Sequence, residues 1–235
     1  MPRMTIPGLV GTCSSDAVDL DFQEVIRAAE ELVRDELGDE PTGHDWWHAD
    51  RVRTLAVRFA RQEGADVRVV ELAALLHDLD DYKFSGSDDA GPRRAYEWLR
   101  GQGIPSGTAQ AVAAIIANMS FKGAGVLPAP LSIEGKCVQD ADRLDAIGAI
   151  GIARTFAYGG FVNRPIHDPS ATPELHDSVE RYRTVRGTTV NHFHEKLLLL
   201  KTRMNTESAR QLAERRHEVL VAFLRQFHAE WEGSA

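Results

Sequence analysis

Glu71-Leu72-Ala73-Ala74-Leu75-Leu76-His77-Asp78-Leu79-Asp80-Asp81-Tyr82-Lys83-Phe84 is the stretch around which the rest of the chain is organised: a run of apolar helix formers that ends abruptly in a histidine and three aspartates. From Val69 to Leu76 the apolar residues wrap the helix instead of forming one stripe, and a helix that is apolar all round is normally central and buried. Its charged end therefore sits near the interior. Burying carboxylates is costly unless they are paired or bind a cation, and an imidazole beside three carboxylates is a ligand set for a divalent metal. On this stretch alone, a helix that simply reaches solvent at Asp78 fits equally well.

What can surround that helix is bounded by length and composition. A chain of 235 residues can bury one large core or two small ones without disulfides. Its 43 % hydrophobic and 26 % charged content are those of an ordinary globular protein. A net charge of -8, with no basic block to offset it, argues against general affinity for nucleic acid or anionic membranes and favours small-molecule partners. Cys13 and Cys137 are too few and too far apart for a disulfide framework or a thiolate metal site, which suits a reducing cytoplasm. Residues 1–20, where Pro7, Gly8 and Gly11 interrupt a short apolar stretch, read as a flexible lead-in. No apolar run approaches the ~20 residues that a membrane-spanning helix needs.

In chain order the pattern is all-α, with almost no strand signal. Phe22, Val25, Ile26, Ala29, Leu32 and Val33 recur at helical spacing before Gly38. A second helix begins near Asp45, its N-cap, and ends at Gly64; the central one runs from about Val67 to Leu79. A polar, glycine-bearing loop from Phe84 to Gly91 beside the acidic cluster has the character of a lid, and Pro92 opens a fourth helix. Further helices start near Ser106 and Ser132, and the latter carries a second acidic concentration, Asp140, Asp142 and Asp145. Gly148 and Gly151 permit close packing or a bend. From Gly159 to Thr188, Pro165, Pro169 and Pro173 fall among polar residues, and the pattern predicts an irregular excursion; two helices follow, ending at Trp231. The simplest reading is one α-helical domain over residues 21–235.

Gly43-His44-Asp45-Trp46-Trp47-His48 supplies two histidines four apart, on one helical face if the helix already includes His44. Such pairs are commonly caps or surface features. Beside His77-Asp78 they gain weight, and Val138-Gln139-Asp140-Ala141-Asp142-Arg143-Leu144-Asp145 adds the carboxylates that two imidazoles and one aspartate still lack.

Taken together, His48, the pair His77-Asp78 closing an apolar helix, and Asp142 within Ala-Asp-Arg-Leu resemble the H…HD…D signature of the HD-domain metal-dependent phosphohydrolases. The likeness extends over Gly43–Val52, Ala73–Phe84, Val138–Arg154 and Asn191–Leu198, which look like the small bacterial YedJ-like subgroup. The resemblance implies an all-α fold with one divalent ion (Mn, Mg, Co, Ni or Fe) held by His48, His77, Asp78 and Asp142, and Asp78 would also belong to the catalytic machinery. It also implies a small phosphorylated substrate, nucleotide-like in many members. Related nucleotidases place an acidic residue three after the HD aspartate, which makes Asp81 a candidate proton carrier or else a solvated turn residue. Lys83 and Arg143 are candidates to hold phosphate or to form surface ion pairs. His44 is either a substrate group or a support for its helix, and His192 a substrate contact or a packed structural histidine. The choice of Asp142 over Asp140 and Asp145 rests on the Ala-Asp-Arg-Leu match.

One departure bears on mechanism. Bimetallic HD proteins carry further histidines between the HD pair and the last aspartate, whereas the interval from Leu79 to Asp140 has none. A single ion and hydrolysis are therefore expected. A di-iron oxygenase and a metal-stabilised binding protein without turnover stand as the alternatives.

Overall fold

The computed structural model describes residues 21–80, 87–184 and 187–234, and its described regular structure is helical throughout. The helices are α1 Phe22–Leu37, α2 Trp46–Glu63, α3 Val67–Leu76, α4 Ala90–Gly101, α5 Ser106–Asn118, α6 Ile133–Asp145 and α7 Gly148–Phe161. After these come α8 Val179–Thr184, α9 Thr189–Glu195, a 3₁₀ stretch Leu197–Arg203 and α10 Glu207–Trp231.

Their starts are set by side-chain caps. Asp21, Asp45, Asp66, Ser132, Thr188 and Thr206 each accept a backbone N–H of the first turn, replacing bonds that the helix itself cannot make there. Gly64, at φ 71°, closes α2 in the left-handed conformation that glycine adopts without penalty.

The central helix is α3, and every residue from Val69 to Leu76 except Glu71 is buried. It packs on α2, and also against α1, α5 and α6; α2 in turn packs closely on α6. Small residues allow this closeness: Ala49, Ala56 and Ala60 on α2, Ala73 and Ala74 on α3, and Ala141 on α6 are all at most 1 % exposed. Buried apolar side chains contribute roughly 1.5–3 kcal/mol each, and the tight approach brings the polar ends of three helices to one place.

Two expectations need correction. The central helix stops at Leu76, not Leu79: the His77 ring takes the Ala74 carbonyl at 2.8 Å, and Asp80 turns left-handed at φ 52°. The excursion expected from Gly159 to Thr188 is shorter, because α7 continues to Phe161 and α8 forms within it. Arg164 closes the end of α7 by donating its N–H to the Gly159 carbonyl, and Thr189 and Val190 donate to the carbonyls of Pro165 and Ile166, so the proline-bearing segment is tied to the start of α9. No helix among the described residues is long and apolar enough to cross a membrane.

Candidate metal centre

His44 and His48 come from the first turn of α2 and the loop before it. Glu40 shapes that loop: its Oε2 accepts from Thr42 N, Thr42 Oγ1 and His44 N at 2.7–2.9 Å. Asp45 then caps α2 by accepting His48 N at 2.8 Å, the role that the sequence suggests for it. His77 and Asp78 follow the last turn of α3, and Asp142 lies on α6.

These elements bring five donors together. His48 Nε2 lies 3.1 Å from His77 Nε2, 3.2 Å from Asp78 Oδ2 and 3.5 Å from Asp142 Oδ1. His77 Nε2 lies 3.5 Å from Asp78 Oδ1 and 3.9 Å from Asp142 Oδ1. His44 Nδ1 approaches Asp78 Oδ2 at 2.7 Å. Two overlapping triads, His44-His48-Asp78 and His48-His77-Asp142, each place one possible ligand atom per residue within 4.8 Å of the others and share His48. Neighbouring ligands of an octahedral ion with bonds of about 2.1 Å sit roughly 3 Å apart, and the His48 approaches of 3.1–3.5 Å are near that spacing. A carbonyl only accepts, so His77 Nδ1 carries the proton bonded to Ala74 O and Nε2 is the nitrogen turned to the cluster. Two imidazole nitrogens facing each other and two carboxylates are the chemistry of a cation site, and the residues present fit one.

Burial sets the electrostatics. His48, His77 and Asp78 are buried, while the Asp142 side chain is 32 % exposed, so solvent reaches the cluster past Asp142. Burial pushes the Asp78 carboxyl up, but the charges of His77 and His44 and the hydrogen bonds from His44 and His48 outweigh it and leave the group well below its ordinary value. Asp142 is likewise lowered: burial opposes ionisation, and His77 and His48 overcome it. Burial and the charge of Arg154 lower His48, yet its bonds to Asp145 and Asp78 prevail and raise it.

Three residues around the cluster are absent from the sequence-based list. Asp145 Oδ2 meets His48 Nδ1 at 2.7 Å, Arg51 Nε donates to Asp145 Oδ1 at 2.8 Å, and Arg154 Nη1 donates to Asp145 Oδ2 at 3.0 Å. A signal exists in the sequence: His48 and Arg51 share one face of α2, and Asp145 lies one turn after Asp142 on α6.

The other candidates fall as follows. Arg143 is 6 % exposed and donates to the Arg203 carbonyl, so its guanidinium packs α6 against the 3₁₀ stretch instead of reaching out for phosphate. Asp140, fully buried, accepts from Asn205 N and Nδ2 and from Thr206 N and Oγ1, and so anchors the start of α10. His192 stands half-buried on α9, outside both triads. Asp81 and Lys83 lie outside the described residues, as do residues 84–86 of the lid-like loop.

A helical domain that gathers a histidine from one helix, a His-Asp pair from the next and a later aspartate is an HD domain. Residues 46–147 match the HD domain family, and the chain belongs to it. Among its relatives is YpgQ of Bacillus subtilis, an uncharacterized protein 42 % identical over 212 residues that span 88 % of this chain and 96 % of YpgQ. The crystal structure of YpgQ in complex with ADP superimposes with a TM-score of 0.69 at 38 % identity, covering 89 % of this chain and 96 % of that one. An HD-superfamily hydrolase from Bacillus thuringiensis gives 0.68 at 42 % identity, covering 90 % and 98 %. A Lactobacillus plantarum structure gives 0.80 at 40 % identity, with the same coverage.

Proposed function

We propose that this protein is a metal-dependent phosphohydrolase acting on a small, nucleotide-like phosphorylated substrate. The observation that carries the reading is the approach of His48 to His77, Asp78 and Asp142 at 3.1–3.5 Å, and of His77 to both aspartates at 3.5–3.9 Å, at a point that solvent reaches. One divalent ion would be held by these four side chains, and mixed imidazole and carboxylate donors suit Mn²⁺, Mg²⁺, Co²⁺, Ni²⁺ or Fe²⁺. A cation so bound supplies a Lewis acid for a phosphoryl oxygen and lowers the pKa of water.

The side chains divide the remaining work. Asp78 accepts the His44 ring at 2.7 Å, which orients its carboxylate; His44 in turn stands at the rim, 15 % exposed, where a substrate arrives. Arg154, whose charge is felt at both His48 and Asp142, adds positive charge beside the cluster while its Nη1 stays on Asp145. On sequence grounds Asp81 carries the proton and Lys83 holds phosphate. The ADP bound by YpgQ supports a nucleotide-like substrate.

Metal analysis of the purified protein, joined to phosphate and pyrophosphate release from nucleoside mono-, di- and triphosphates under each of these ions, tests the reading. One ion per chain and release that depends on it are expected. Two irons per chain, or oxygen uptake that depends on substrate, would overturn it in favour of an oxygenase.

A further inference from the structure

Asp145 makes no approach to the open side of the cluster: its side chain is 2 % exposed and lies behind His48, on the Nδ1 side of the ring. Three groups converge on this one carboxylate. His48 Nδ1 stands 2.7 Å from Oδ2, Arg51 donates to Oδ1 at 2.8 Å and to Oδ2 at 3.0 Å, and Arg154 donates to Oδ2 at 3.0 Å. Guanidinium N–H groups only donate, and between them Arg51 and Arg154 make both Asp145 oxygens acceptors. The proton between Asp145 and His48 therefore belongs to Nδ1, and Nε2 is the nitrogen turned toward His77, Asp78 and Asp142.

We infer that Asp145 is the positioning residue of the metal centre: clamped by Arg51 from α2 and Arg154 from α7, it fixes the tautomer and ring angle in which His48 can ligate. This rests on the metal-centre reading above and deepens it. Each partner of the clamp has its own anchor. Arg51 rides one turn after His48 on the same helix, so a shift of α2 relative to Asp145 strains a two-pronged ion pair as well as the His48 bond. Arg154 runs against Gly43, where a Cβ would lie 2.8 Å from its Cγ, and so locks the loop that carries His44 to the same carboxylate. Carboxylates bonded to the far nitrogen of a ligand histidine commonly change metal affinity by about 10–100-fold when removed. Asn in place of Asp145 keeps the shape but can donate to Nδ1, which lets the Nε2 tautomer form and blocks ligation.

Mn²⁺ titration of the wild-type chain and of Asp145→Asn, with free ion read by electron paramagnetic resonance and fold read by circular dichroism, tests the inference. The wild type should bind one ion, and the variant should lose about 10–100-fold in affinity with its helix content kept. Imidazole ¹⁵N shifts of the wild type, read before and after loading with diamagnetic Zn²⁺, should show neutral His48 already protonated at Nδ1 before the ion is added, a tautomer that no purely packing role for Asp145 would fix and a readout that stands even if the variant does not fold. Unchanged affinity in the variant, or an unprotonated Nδ1 in the wild type, overturns the positioning role alone. A wild-type chain that binds neither ion overturns the metal-centre reading and this inference with it.

Discussion

Gly43 and Arg154 are in direct contact, so closely that a Cβ added to Gly43 would stand 2.8 Å from Arg154 Cγ and 3.1 Å from its Nε. The glycine is also left-handed, at φ 85°. Gly43→Ala therefore meets a strained backbone and a guanidinium already committed to Asp145. The substitution should destabilise the fold by roughly 1–3 kcal/mol in denaturant unfolding, and it should weaken Mn²⁺ binding in parallel. Wild-type stability would mean that the Glu40-to-His44 loop relaxes away from Arg154 without penalty.

His77→Ala and Asp78→Ala should each abolish stoichiometric ion binding and, with it, phosphate release. Most helical circular dichroism should survive, because the apolar core of α2, α3 and α6 is independent of these two side chains. Collapse of the helical signal in either variant, or on chelation of the parent, would instead make the ion a structural one.

The architecture was legible where periodicity was strong. Val69 to Leu76 reads as apolar on all sides and is the buried centre, and Asp45 and Ser132 cap the helices assigned to them. His48, His77, Asp78 and Asp142 are separated by up to 94 residues, yet family resemblance joined them and the fold brings them together. Asp145 was harder. Nothing in Asp140-Ala141-Asp142-Arg143-Leu144-Asp145 says which carboxylate faces which helix, and the three serve different ends: α10, the donor cluster and the back of His48. Arg154 escaped because its partners depend on the turn at Gly148, after which α7 packs against α6 and α10. The short α8 escaped because three nearby prolines outweigh a six-residue helical pattern.

Asp140→Ala should cost stability without touching the chemistry. Four donors from Asn205 and Thr206 point at its buried carboxylate, and its removal leaves several of them unsatisfied at about 1–3 kcal/mol each. A loss of at least about 2 kcal/mol in chemical unfolding is expected, with metal stoichiometry unchanged. A smaller loss would indicate that Thr206 alone suffices to start α10.

Asp81→Asn should keep the ion and slow turnover, by roughly 10²–10⁴-fold for a general acid or base. Saturating Mn²⁺ should not restore the rate. An unaltered rate would return Asp81 to the role of a solvated turn residue. Lys83→Ala is expected to raise KM while the ion stays bound.

Stability against pH should separate the bare chain from the loaded one. The carboxyls of Asp78, Asp142 and Asp145 are lowered in the fold, so their contribution is present above the unfolded value of about 4 and is lost as pH falls through the folded values. His48 is raised, so its contribution is complete below the unfolded value of about 6.5 and fades as pH rises through the folded one. In EDTA, thermal unfolding should therefore give a Tm that is highest between these limits and falls on both sides. Mn²⁺ competes with the proton for His48 Nε2 and gains affinity as pH rises, so saturating ion should erase the alkaline fall and leave the acid one. A bare chain whose Tm is flat from pH ~6 to ~9 would show that His48 gains no stabilisation from its proton, and an alkaline fall that persists in Mn²⁺ would place its cause outside the His48 cluster.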